Sequence, residues 1–150
     1  MSKKQDLEYL IANGSAPPRK ERTPQRKTYK EHSLQVRCVQ RFRYEHPDIA
    51  HLLIAIPNGS KRSAIEAKWL KAEGMTPGAS DLILLVSRGA YGFLCIESKT
   101  TSKDSRQSEA QKEWQKLVEQ NGGKYIIYRD ADTFWEIVTK YLNLKENETF

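Results

Sequence analysis

Residues 81–99 read DLILLVSRGAYGFLCIESK: an aspartate, an apolar run, a short polar turn, and a second apolar run that ends in Glu97 and Lys99. Two adjoining β-rich runs with so short a link, SRGAYG at 87–92, are expected to form an antiparallel hairpin. Side chains alternate along a strand, so Phe93, Cys95, Glu97 and Lys99 share one face while Leu94, Ile96 and Ser98 share the other. In an antiparallel pair the start of one strand lies beside the end of the next, which sets Asp81 close to Glu97. Two carboxylates held together repel unless a proton or a cation lies between them, and a divalent metal satisfies both. Oxygen ligands favour Mg²⁺ or Mn²⁺ over zinc, because His and Cys are not clustered at ligand spacing. A lysine beside such a metal can orient or deprotonate a water, or hold charge developing on a phosphate, which is the chemistry of phosphodiester hydrolysis by metal-activated water. The plain alternative for Glu97 and Lys99 alone is a same-face surface ion pair of little energetic worth.

Outward from this hairpin the chain alternates helices and strands. In YKEHSLQVRCVQRFRYE (29–45) the residues Leu34, Cys38, Val39 and Phe42 recur at helical spacing, and Pro47 ends the helix. Glu31 lies seven residues before Cys38 and eleven before Phe42, so a continuous helix turns it roughly inward, where a carboxylate needs a partner. Otherwise it serves only the helix dipole from solvent. HLLIAIP (51–57) reads as a short strand closed by Pro57, and NGS as a turn. KRSAIEAKWLKAEG (61–74) places Ala64, Ile65, Lys68, Trp69 and Ala72 at helical spacing before Gly74. DLILLV is a continuous apolar run of the kind buried on both faces. After the hairpin, SEAQKEWQKLVEQNGG (108–123) is a helix with Ala110, Trp114, Leu117 and Val118 inward, and KYIIYR (124–129) is a strand. DADTFWEIVTKYL (130–142) is a capped helix with Phe134, Trp135, Ile137, Val138 and Leu142 along it. The expected class is α/β, a mixed sheet flanked by helices in the order αβαββαβα.

A chain of 150 residues has room for one core. Residues 1–28 are expected to form a basic arm, because NGSAPPRKERTPQRK (13–27) holds three prolines and five Lys or Arg but no apolar residue larger than Ala; residues 29–145 then make the domain. The arm either touches phosphates without specificity or is a solvated tail. Neither a run long enough to span a membrane nor a secretory signal is visible, so the cell interior is the expected setting. Cys38 and Cys95 lie in apolar surroundings without CxxC spacing, as buried reduced thiols do. The 25 Lys and Arg exceed the 19 Asp and Glu, giving a net charge of +6 that favours a polyanionic partner without specifying one. His32, His46 and His51 have no paired metal spacing, and PNGS lacks the GK[ST] ending of a phosphate-binding loop.

GASDLILL followed, sixteen positions after Asp81, by the glutamate of CIESK resembles the acid, spacer, acid-X-lysine pattern of the PD-(D/E)XK nuclease superfamily. The span from EHSLQ through IPNGSKRS, LKAEGMTPGASDLILL, CIESKT and RQSEAQKEWQKLVEQNGGKY looks like the VRR-Nuc family, its small stand-alone phage and bacterial members in particular. The resemblance implies a restriction-endonuclease-like fold and, for the intracellular setting, the cytoplasm of a bacterial or phage-infected cell. It implies that Asp81 and Glu97 are metal-binding acids, that the backbone carbonyl of Ser98 is a third protein contact, and that Lys99 is the catalytic lysine. Glu31 matches a first-helix glutamate that completes the site directly or through a metal-bound water. Gln111 matches a glutamine that lies near that lysine. One departure is Ser80, where the family commonly has proline before the first acid; proline supplies backbone restriction and no catalytic atom.

The function expected from these residues is a DNA endonuclease using Mg²⁺ or Mn²⁺. By resemblance it is a homodimer acting on branched DNA such as four-way (Holliday) junctions, since a two-fold dimer presents two sites to two strands. Phe134 and Trp135 are one candidate source of apolar surface for pairing. Lys61, Arg62, Lys103 and Arg106 flank the cleft in sequence and are candidate phosphate contacts. A noncatalytic DNA-binding module on the same fold is the alternative, disfavoured because a carboxylate cluster would repel phosphate. A hydrolase of small phosphate esters ranks last, because nothing in the sequence forms a nucleotide loop.

Overall fold

The computed structural model describes residues 26–57, 63–101 and 105–150, with side chains from Tyr29 onward. Helix α1 spans Arg26–Glu45, a six-residue 3-10 turn follows at Pro47–Leu52, and β1 is Leu53–Ala55. Then come α2 (Ala64–Ala72), β2 (Leu82–Leu84), β3 (Phe93–Ser98), α3 (Glu109–Gln120), β4 (Gly123–Tyr128) and α4 (Ala131–Leu142). The order is the expected αβαββαβα. Helix α1 starts three residues before its expected start at Tyr29, so it takes in the last residues of the expected arm. The first 25 residues of the expected arm lie outside the described residues.

The four strands form one sheet in the order β1-β2-β3-β4. The hairpin pairing is antiparallel with Leu82 opposite Ile96 and Leu84 opposite Leu94, β1 adds antiparallel to β2, and β4 adds parallel to β3. β3 is therefore central, and Leu94 to Ser98 are all buried.

Strand alternation sorts the core into two layers. Leu82, Leu84, Leu94 and Ile96 pack with Cys38 and Phe42 of α1 and with Phe134, Val138 and Tyr141 of α4. On the other face Cys95 and Tyr125 pack with Val118 of α3. Burying one large apolar side chain contributes roughly 1.5–3 kcal/mol, so the dozen or so large residues of the first layer dominate the fold's stability. Both cysteines are free and buried. Burial raises the Cys38 thiol to about 11, leaving it protonated and unreactive.

Four expectations need correction. Leu117 of α3 does not point inward but is 55% exposed. The run 81–86 is not buried throughout: Leu82, Leu84 and Val86 are, but Leu85 is half exposed, because α3 covers only the β3–β4 half of its face. Helix α2 forms where its spacing places it, closed at its start by a reciprocal cap between Ser63 and Glu66, yet buries none of its residues and leaves Ile65 and Trp69 about two-thirds exposed. Phe134 and Trp135 are not surface residues for pairing, since Phe134 is 1% exposed and Trp135 packs against the core beneath the Arg41 guanidinium. Among the described residues no helix is long and apolar enough to cross a membrane.

Candidate active site

The hairpin register, carried one step beyond Leu82 and Ile96, puts Asp81 opposite Glu97 on one face of the sheet. The Asp81 carboxylate is pinned there, its Oδ2 accepting the Ser98 backbone N–H at 2.8 Å. Lys99 emerges on the same face as Glu97, its Nζ standing 3.3 Å from Glu97 Oε1. Lys99 donates to Gln111 Oε1 at 2.9 Å, and the Gln111 amide Nε2 donates to Glu97 Oε1 in turn. Glu31, Asp81, Glu97, Ser98, Lys99 and Gln111 all line one cavity of about 300 Å³.

Gln111 reaches this point because of how α3 begins. Ser108 caps the helix by accepting the Gln111 N–H, and Gln111 Oε1 accepts the Ser108 N–H at 3.0 Å while also accepting from Lys99. One side-chain oxygen thus closes the helix cap and anchors the lysine. The cap is seated by Gly78, at φ +83°: a Cβ there would overlap the Ala110 carbonyl and stand 2.8 Å from Gln111 N. The loop that delivers Asp81 therefore touches the backbone that delivers Gln111.

Electrostatically the pair Asp81–Glu97 is under load. Glu97 is 3% exposed, and burial together with the neighbouring Asp81 carboxylate pushes it up to about 7, the attraction of Lys99 offsetting this only in part. Burial also raises Asp81, against the Ser98 N–H and Lys99. Glu97 Oε2 is buried without a hydrogen-bond partner. An orphaned carboxylate oxygen facing a second carboxylate fits a hard divalent cation. Asp81 and Glu97 would hold such an ion. Among the described residues no three His, Cys, Asp or Glu side chains gather as ligands, so Glu31 stands as a wall of the cavity apart from a carboxylate triad. Mg²⁺ is commonly held by only one or two carboxylates, with waters and substrate oxygens completing its shell.

Of the candidate phosphate contacts, Lys61, Arg62 and Lys103 lie outside the described residues. Arg106 is exposed on the segment before α3 and does not line the cavity. His46 is a packing residue, its ring 5.1 Å from Phe42 and 5.8 Å from Trp135. Ser80 is fully buried, and its hydroxyl finds an acceptor two residues on, at Leu82 O. Sequence reasoning missed Gly78 and Arg129. Arg129 follows β4 and donates to the carbonyls of Thr100 and Ser105, bracing the chain after Lys99. Parallel strands end at the same sheet edge, so the pairing of Ser98 with Tyr128 places Arg129 beside Lys99, a signal available to anyone who pairs the two strand ends.

No curated protein matches the chain. A solved structure of a VRR-NUC domain protein superposes with a TM-score of 0.66 at 24% identity, over 77% of this chain and 90% of the other, a likeness of fold. The family model of the VRR-NUC domain matches residues 17–131, a span that takes in α1, the hairpin, Lys99 and Gln111. With a match over that much of its length, and the hairpin acids, the lysine and the glutamine assembled around one cavity, the chain belongs to the VRR-NUC domain family.

Proposed function

We propose that the protein is a divalent-metal-dependent endodeoxyribonuclease, selective for branched DNA such as four-way junctions. The observation that carries this is the buried Asp81–Glu97 pair with its unpartnered Glu97 oxygen, an arrangement that is costly unless a cation or a proton sits against it. Bound there, Mg²⁺ or Mn²⁺ would supply Lewis acidity toward a phosphodiester and lower the pKa of a water. The protein's own residues do the rest. Lys99, 14% exposed and fixed by Gln111 and Glu97, presents a positive charge at one position, where it can orient water or stabilise charge building on a phosphate oxygen. Gln111 is a positioning residue, setting the rotamer of Lys99 from the start of α3. Glu31 and the Ser98 carbonyl are proposed to complete the cation's surroundings, Glu31 directly or through water.

Two copies are proposed to act together, as the family resemblance implies. The support in this fold is the apolar sheet face that α3 leaves bare, where Leu52, Ile54 and Leu85 are 39%, 42% and 50% exposed. Incubation with labelled four-way junction, flap, single-stranded and duplex DNA in Mg²⁺, Mn²⁺ or EDTA tests the activity. Metal-dependent cleavage, greatest on the branched substrates, is expected. Binding that persists in EDTA with no cleavage of any substrate in either metal would favour the noncatalytic module instead.

A further inference from the structure

The active-site cavity does not stop at Lys99. Its walls Glu31 and Lys99 are shared with a narrow gap of about 110 Å³ that continues past Thr100 and Arg129. That gap shares Lys30, Leu34 and Arg129 with a broader groove of about 390 Å³, between α1 and the start of α4. The three form one trench. Its far end is of a size that takes small organic ligands, a range of about 300–1,000 Å³.

The chemistry changes along its length. At the near end stand the carboxylates, while the far groove is lined by Lys30, Arg37 and Arg129 against the single carboxylate of Asp130. Asp130 is committed to capping α4, accepting the Thr133 N–H at 2.7 Å, which holds its carboxyl below the usual range. Neither Lys30 nor Arg37 forms an ion pair with any described carboxylate. Arg129 is held in place by its two carbonyl acceptors. Tyr29, Ser33 and Arg37 follow at intervals of four along α1, and so stand in one stripe over the groove, with the Tyr29 ring 74% exposed. One anchored guanidinium, that of Arg129, and one exposed guanidinium free of an ion pair among the described residues, that of Arg37, beside an exposed aromatic ring suit a nucleic-acid strand with unpaired bases: the cations take the phosphate, and the ring stacks a base of any sequence.

We infer that this groove is the exit track for an unpaired strand leaving the cleavage site, with a phosphate held between Arg37 and Arg129 and a base stacked on Tyr29. The assignment rests on the nuclease reading for its direction, and its test is separable from that reading. The probes are fluorescein-labelled forked DNA with one unpaired arm and blunt duplex of equal length, measured by anisotropy in Ca²⁺ across a salt series.

Arg37→Ala is expected to weaken forked-DNA binding about tenfold and to lower the salt slope by about 1. Tyr29→Ala should weaken forked DNA about tenfold with little effect on duplex, and Tyr29→Trp should restore it. Both side chains are exposed, so thermal melts of the variants should match wild type. Binding of forked DNA within twofold of wild type for either alanine variant, or equal losses on forked and duplex DNA, overturns the track. Should wild type cleave nothing in Mg²⁺ or Mn²⁺ while these binding losses occur, the nuclease reading fails and the strand-binding groove stands.

Discussion

Ionising Glu97 beside Asp81 is costly, and the cost has a measurable sign. Without a cation, Glu97 in the folded protein releases its proton near pH 7, well above the ordinary value of about 4.5 at which the unfolded chain releases it. Between those limits the folded state holds a proton that the unfolded state has lost, so stability falls as pH rises through the window and levels off above it. A bound cation reverses this penalty by pairing with the ionised form. Millimolar Mn²⁺ is therefore expected to raise Tm more at about pH 8 than at about pH 6. An equal or larger shift at the lower pH would contradict the assignment. Glu97→Gln removes the charge at nearly constant volume. In EDTA at about pH 8 it should stabilise the protein by about 1–3 kcal/mol while abolishing the Mn²⁺ shift, a gain in stability against a loss of function that thermal melts can read.

The element that couples chemistry to fold is the contact between the Gly78 loop and the first turn of α3. Gly78→Ala is expected to cost about 1–3 kcal/mol, from its positive φ and its overlap with Ala110, and to lower turnover about tenfold or more by displacing Gln111 from Lys99. Gly74 provides the control: its φ is +106° but a Cβ would meet nothing within 4 Å, so Gly74→Ala should cost about 1 kcal/mol of backbone strain and leave turnover unchanged. Equal turnover in the two variants would refute the coupling. The hairpin behind this site was legible in the sequence because strand alternation and antiparallel register are fixed by geometry, so Asp81, Glu97 and Lys99 could be placed before any coordinates. The dual role of Gln111 was half legible. Ser108 and Gln111 have the spacing of a capping box, but which second partner the glutamine oxygen takes depends on where β3 ends in space. Periodicity failed for α2 and for Leu85, since an apolar stripe at helical spacing or in a strand shows that a face could be covered and says nothing of what covers it. The 3-10 turn at Pro47–Leu52 reads in the sequence as the end of one element and the start of another, because Pro47 forbids continuation of α1 yet suits the first turn of a new helix.

At the scale of the whole molecule, the described residues carry a covered core, a bare apolar strip and a trench of changing charge, and each has its own consequence. Ile54, on the edge strand β1, is 42% exposed, so Ile54→Asp is expected to keep the fold while converting the proposed dimer to monomer. Light scattering after size-exclusion chromatography reads this directly, and a wild-type monomer, or a variant that remains dimeric, would remove the strip from consideration. Charge changes along the trench: cations line its far end, while its near end is left to the carboxylates and one anchored lysine. The most direct test of the central claim is single-turnover cleavage of a labelled four-way junction by wild type and by Lys99→Ala, each saturated with Mg²⁺ or Mn²⁺. The expected result is that Lys99→Ala cleaves at least about 100-fold more slowly, within the range typical of a lost charge-stabilising or general-acid-base group, while its Mn²⁺ and junction affinities stay near wild type. Cleavage by Lys99→Ala at the wild-type rate, or no cleavage by wild type with either metal, would contradict it.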